Sequence, residues 1–185
     1  MEIKRKQYAD LERLLFTEEE IRSAVQTLGA RISADYEDKE PLLICVLKGA
    51  CVFFSDLIRA IDTPVSIDFI AASSYGGGTR PQHEVILKHE PSQSVKGRDV
   101  ILVEDIMDTG NTLLCLKRFF EETGAASVRI AALLDKPSRR CVPLQPDYAC
   151  FTIPDAFVVG YGLDYDEQYR SLPEIGILSP TVWDK

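Results

Sequence analysis

With 185 residues, 45% of them apolar and 27% charged, the chain has the length and composition of a single globular domain with one full core, not of a low-complexity chain. Its 21 Lys plus Arg against 29 Asp plus Glu give a formal charge of −8 and a pI near 4.8, which argues against a general nucleic-acid binder but leaves room for a small cationic pocket for a phosphorylated metabolite. No stretch reaches the ~18 consecutive apolar residues of a membrane span, and the basic residues 1–10 have no apolar stretch behind them, so neither a membrane anchor nor a signal peptide is expected.

Residues 17–20, Thr-Glu-Glu-Glu, carry a capping-box signature: a Thr N-cap with Glu at N3. Ile21, Ala24, Val25, Leu28 and Ile32 then share one face of a predicted helix. Residues 42–47 are a short unbroken apolar run, the pattern of a strand covered on both faces. A helix is predicted over 51–61, a strand over 65–72, a strand over 100–103, a helix over 112–123 stopped by Gly124, and a strand over 128–134. Residues 157–159 suggest one more strand. Short apolar strands alternating with helices predict βαβ units and a mostly parallel sheet, with ligands at the carboxyl ends of the strands. The polar segment 73–98 is too long for an ordinary connector and reads as a flap, a hairpin arm or a disordered stretch. The cysteines, Cys45, Cys51, Cys115, Cys141 and Cys150, are odd in number and form no C-x-x-C pair, as expected in a reducing cytosol. With His83 and His89 the only histidines, a Cys/His zinc site is not expected.

The strongest chemical signal is the run 100–112, Val-Ile-Leu-Val-Glu-Asp-Ile-Met-Asp-Thr-Gly-Asn-Thr. A strand ends in Glu104 and Asp105, and Thr109, Gly110, Asn111 and Thr112 open a helix, offering free N–H groups, two hydroxyls and a positive dipole end to one phosphate. Gly110 permits close backbone approach. The Lys of a Walker A loop is missing. Glu104 and Asp105 would repel further phosphate and suit hydroxyl groups or Mg²⁺. A phosphate at one end and a diol at the other describes a ribose 5-phosphate. Asp108 can serve here either as the helix N-cap or as a chemical group.

Glu104 to Thr112 resembles the phosphoribosyl-diphosphate (PRPP) signature of the type I phosphoribosyltransferases, and other motifs between about residues 44 and 178 resemble the hypoxanthine(-guanine) members of that family. The resemblance implies an α/β fold: a parallel central sheet flanked by helices, with a small hood built from the chain termini and a flexible loop. It implies transfer of phosphoribosyl from PRPP to hypoxanthine, with guanine as a second expected base, in the presence of Mg²⁺. A cytoplasmic homodimer or homotetramer is implied, with neither nucleic acid nor membrane as a partner.

The residue roles carry over motif by motif. Lys48-Gly49 is similar to the pyrophosphate loop, with a non-proline cis bond before the Lys. Ser74 and Tyr75, ahead of Gly76-Gly77-Gly78, are similar to the loop that closes over the reaction; Arg80-Pro-Gln-His83 departs from the small residues usual there in bacterial members. Lys136 is similar to the residue that contacts the purine 6-oxo group. Phe157 is similar to the ring that covers the base, and Val158 to the residue whose backbone reads the base edge. Asp164, also near the base, is similar to a second metal-contacting acid beside Glu104 and Asp105, and Arg170 to a pyrophosphate contact. Asp108 is the implied general base toward purine N7. Gly160-x-Gly162 lacks the third small residue and the following helix of a dinucleotide fingerprint. A nucleic-acid-binding regulator on the same fold is the competing expectation; the charge of −8 and the joint presence of Lys136, Phe157 and Asp164 oppose it.

Overall fold

The structure, a computed structural model, describes residues 2–74, 85–89 and 91–184. The elements run α1 (Glu2–Ala9), β1 (Leu11–Phe16), α2 (Glu18–Asp35), β2 (Leu42–Leu47), α3 (Cys51–Ala60), β3 (Ser66–Ser74), β4 (Val85–His89), β5 (Asp99–Met107), α4 (Asn111–Glu122), β6 (Ser127–Asp135), β7 (Tyr148–Thr152), β8 (Val158–Val159), β9 (Ile175–Leu178) and α5 (Pro180–Trp183). The larger sheet has the order β4-β3-β2-β5-β6-β7, with β4 antiparallel and the rest parallel.

The strand period of two decides which helix covers which face. Leu43 and Cys45 of β2, Ile101 and Val103 of β5, and Leu133 of β6 pack with Ile21, Val25, Leu28 and Ile32 of α2 and Phe53, Phe54 and Leu57 of α3. Their strand neighbours Leu42, Ile44, Val46, Val100, Leu102 and Ile130 pack on the other face with Leu113, Leu116 and Phe120 of α4. Both faces of the central strands are thus buried, which is why those strands read as unbroken apolar runs. The capping box at Thr17 forms as expected: Thr17 Oγ1 accepts from Glu20 N, and Glu20 returns a carboxylate to Thr17 N.

The chain runs from β2 to β3 on one side, then crosses back to place β5 on the other side of β2. The carboxyl ends of β2 and β5 therefore form a topological switch point, the natural crevice for a ligand. Above it stands a second, three-stranded antiparallel sheet, order β1-β9-β8, the expected hood from the two ends of the chain. Its own small core is Val159, Tyr169, Leu172 and Leu178.

The segment 73–98 divides in two. β3 runs on to Ser74 and pairs with β4 as a hairpin, whereas 91–98 is tied to the body: Asp68 accepts from Gln93 N (2.8 Å) and Ser92 Oγ (3.2 Å), and Val95 is buried. Tyr75 and the residues from Gly76 to His83 lie outside the described residues.

Candidate active site

β5 runs on past both expected acids: Glu104 and Asp105 lie within the strand and not at its end, because pairing with β6 continues through Ile106 and Met107. Glu104 and Asp105 are adjacent, and burial pushes both carboxyls above the usual carboxylate range; for Glu104 the neighbouring Asp105 charge adds to the effect. Arg170 opposes the rise at Asp105. The Lys48-Gly49 turn lies directly against this pair: a Cβ on Gly49 would fall 1.6 Å from Asp105 Oδ2, so only glycine fits. The Leu47–Lys48 peptide bond is cis, as the resemblance implies. The turn around Gly162 packs on the same loop, where a Cβ would fall 2.2 Å from the Gly49 carbonyl oxygen.

Beyond β5, Gly110 is the N-cap of α4, with φ +81 and no side-chain cap. Asp108 is therefore not the cap of α4. Oδ1 of Asp108 is buried without a hydrogen-bond partner among the described residues, with the Arg139 guanidinium 3.6 Å away. A cavity of about 380 Å³ is lined by Glu104, Asp105, Asp108, Thr109, Gly110 and Thr112 together with Val46 and Leu47. It opens onto the first turn of α4, begun by Asn111, whose N–H donates to Thr109 Oγ1 (3.4 Å). The first-turn N–H groups that follow have no intrahelical acceptor.

A second cavity of about 580 Å³ is lined by Asp108, Lys136, Arg139, Asp155, Phe157 and Trp183, among others. Lys136 is buried; its Nζ donates to the Ala156 carbonyl (2.9 Å) and lies 3.7 Å from Asp155 Oδ1. Phe157 is 40% exposed, so it is a wall of this cavity and not a core ring. Val158 is buried and paired with Ile177. β8 is the edge of the hood sheet, so its outer backbone groups are not used within that sheet.

Asp164 is engaged by Arg170 (2.8 Å) and accepts Glu167 N–H (2.9 Å), and among the described residues no group of three His, Cys, Asp or Glu is arranged to hold a metal. The Arg170 guanidinium thus neutralises Asp164, and its Nε is buried with no hydrogen-bond partner among the described residues. Glu167 bridges the two expected pyrophosphate cations, at 3.0 Å from Lys48 Nζ and 3.2 Å from Arg170. Ser74 closes β3; Tyr75 is outside the described residues.

Arg140 is a site residue that the sequence pattern does not announce. It donates to the carbonyls of Asp108 (3.0 Å), Met107 (3.1 Å) and Leu144 (2.7 Å) and pairs with Asp135. Lys136 N–H also donates to Met107 O (3.0 Å), and Cys141 N–H to Thr109 O (3.0 Å). The segment after β6 is thus a brace beneath the Asp108 loop. The doubled arginine in Lys136-Pro-Ser-Arg-Arg140, just past the end of β6, is the one available signal.

A mostly parallel sheet with a cavity at its switch point lined by an acid pair and a glycine-led helix start, beneath a small hood, is the architecture of a phosphoribosyltransferase, and residues 15–166 match the phosphoribosyl transferase domain family. The chain belongs to that family. Within it, the chain is 47% identical over 176 residues to a hypoxanthine-guanine phosphoribosyltransferase of Streptococcus thermophilus, covering 95% of this chain and 98% of that one. It is 49% identical over 175 residues to one of Bacillus subtilis, at 95% and 97% coverage. A crystal structure of a hypoxanthine phosphoribosyltransferase from Staphylococcus aureus superposes with a TM-score of 0.93 at 44% identity, covering 97% of each chain.

Proposed function

We propose that this chain salvages purines by transferring the 5-phosphoribosyl group of PRPP to hypoxanthine and to guanine, forming the nucleoside 5′-monophosphate and pyrophosphate. One observation carries the reading: Asp108, whose buried Oδ1 makes no hydrogen bond among the described residues and faces only the Arg139 guanidinium, lines both the phosphate cavity and the cavity of Lys136 and Phe157. A group shared by a sugar-phosphate site and a planar-base site is where the two substrates must be joined.

The 5′-phosphate sits on the N–H groups and hydroxyls of Thr109 to Thr112. Glu104 and Asp105 accept from the ribose hydroxyls. The bond from C1′ to pyrophosphate breaks, the electron pair leaving with pyrophosphate, and purine N9 forms the new bond to C1′. Asp108 takes the proton that N7 loses. Lys136 donates to the 6-oxo oxygen, which selects hypoxanthine and guanine over adenine, whose amino group would set donor against donor. Phe157 stacks on the base and Val158 backbone groups meet its edge. Lys48, Gly49 and Arg170 receive the pyrophosphate, and Asp164 is released as Arg170 turns to it.

The carboxylates fit Mg²⁺ in the form that cation prefers, one or two protein oxygens completed by substrate phosphates and water. Glu104 and Asp105, whose carboxyls burial pushes up, and Asp164 once released, would hold it; when bound it would supply charge neutralisation for the departing pyrophosphate. The whole chain acts as one domain, in a reducing cytosol that suits its free cysteines. It assembles as a homodimer or homotetramer, a reading supported by the exposed Ile67 and Phe69 on β3. Among the described residues no helix is long and apolar enough to cross a membrane.

The test is a spectroscopic assay with PRPP, Mg²⁺ and each of hypoxanthine, guanine, xanthine and adenine. Turnover with hypoxanthine and guanine and none with adenine is expected. Turnover with adenine alone would overturn the role of Lys136, and no turnover with any base would overturn the function.

A further inference from the structure

The reaction as described uses Phe157 and Lys136 but gives no work to the chain's single tryptophan, which lines the same cavity. Trp183 stacks on Phe157, with ring centroids 5.9 Å apart and planes inclined by 23°. Its position is built rather than incidental. Leu178 N–H donates to the Phe157 carbonyl (2.8 Å), and the Trp183 indole N–H donates to the Leu178 carbonyl (3.4 Å), so the end of the chain is tied to Phe157 through one shared residue. Pro180 starts the short turn of α5, and Asp184 N–H closes it on the Pro180 carbonyl (2.8 Å).

The distance decides what the indole does. A planar ring inserted between two parallel rings needs about 3.5 Å on each side, or about 7 Å in all. The observed 5.9 Å is too short, so a base reaches that face of Phe157 only if the indole moves. Moving it is cheap: Trp183 is 41% exposed and hangs on a single-turn helix with one indole hydrogen bond. Tyr165 meets Phe157 in a T-shaped arrangement, at 86° and 5.6 Å between centroids, so the parallel neighbour of Phe157 is Trp183.

We infer that Trp183 is a base-contacting residue: the C-terminal turn is an aromatic gate on the purine pocket, whose indole yields the Phe157 face to the incoming heterocycle and then packs against it. This rests on the reading of the Lys136–Phe157 cavity as the nucleobase pocket.

The experiment combines fluorescence of the unmodified enzyme with two variants. Titration with inosine 5′-monophosphate is expected to change the tryptophan emission, saturating at the Kd found by calorimetry, whereas pyrophosphate leaves it unchanged. Trp183→Ala is expected to raise KM for hypoxanthine about 5- to 150-fold, the range of one lost base–aromatic stack, with KM for PRPP within about twofold; Trp183→Phe restores most of the loss. If Trp183→Ala does not fold, the emission change and the Phe variant still decide the matter. The inference is overturned if the nucleotide binds by calorimetry while emission stays constant. It is also overturned if KM for hypoxanthine is unchanged in Trp183→Ala, or falls, which would make the indole a mere obstruction. If the nucleotide does not bind at all, the nucleobase reading itself fails and takes the gate with it.

Discussion

The two halves of the site are built on opposite plans. The phosphate half is nearly contiguous: Glu104 to Thr112 run from the end of β5 into α4, and only Val46, Leu47 and Leu113 complete that cavity. The base half draws Glu12 from β1, Lys136 from the end of β6, Phe157 from the start of the hood and Trp183 from the last turn. A phosphate asks for backbone N–H groups and a helix dipole, which one turn can supply. A flat heterocycle asks for walls on several sides, which no single segment can supply. Asp108 stands where the halves meet, braced from below by Arg140.

The largest expected effect removes the phosphate half's metal. Chelation with EDTA should abolish turnover and Mg²⁺ should restore it; full activity in a rigorously chelated sample would show that Glu104 and Asp105 serve the ribose hydroxyls alone.

Next comes the seam. Asp108→Asn keeps size and polarity, and because the cap of α4 is Gly110, helix stability should not change. Near-normal PRPP affinity with a loss of roughly 10²- to 10⁴-fold in kcat is expected. A kcat within about threefold of the parent would move the proton acceptor elsewhere.

Lys136→Ala acts on the base half only. Loss of a charged donor should cost ~1.5–3 kcal/mol on the purine side, leaving PRPP affinity intact by calorimetry. Collapse of PRPP affinity instead would place Lys136 with the phosphates.

Glu167→Gln acts on the phosphate half only, and gently. The carboxylate competes with pyrophosphate for Lys48 and Arg170, but Lys48 and Glu167 are mostly exposed, so solvent screening keeps the effect small. KM for PRPP should fall about two- to fivefold, with KM for hypoxanthine unchanged; a rise would show that Glu167 positions the two cations.

The smallest kinetic effect belongs to Asp68, outside both halves. Burial pushes its carboxyl up, but hydrogen bonds from Phe69 N, Gln93 N and Ser92 Oγ outweigh that and hold it below its usual value. A depressed folded-state pKa means stability that is present at neutral pH, begins to fade below about pH 4, and is gone once pH drops past the folded value. Asp68→Ala should flatten the acid limb of a melting-temperature profile and cost about 2 kcal/mol of stability, with kcat at neutral pH unchanged.

What the sequence determined by itself follows from short-range physics. The capping box at Thr17, the doubly buried strand over 42–47 and the glycine-led turn into α4 each depend on neighbours a few residues away, and each stands where the pattern placed it; the acid pair, expected at a strand end, lies inside β5 because pairing with β6 carries that strand on to Met107. α4 begins one residue earlier than expected, at Asn111, because Gly110 takes the left-handed φ and the cap position. β1, β4, β7 and β9 escaped the pattern: β1 mixes charged and apolar residues and β9 is four residues long with a glycine inside it, and their strand character comes from a partner distant in sequence, as when Leu11 pairs with Leu178. The same holds for the site. Asp108 could be read as the cap of α4 until the fold assigned that position to Gly110 and left Asp108 Oδ1 with an ion pair to Arg139 and no hydrogen bond among the described residues. The pairing of Asp164 with Arg170, the Arg140 brace and the stack of Trp183 on Phe157 were settled only by tertiary structure, because each joins side chains whose separation in space is fixed by sheet order and not by chain spacing.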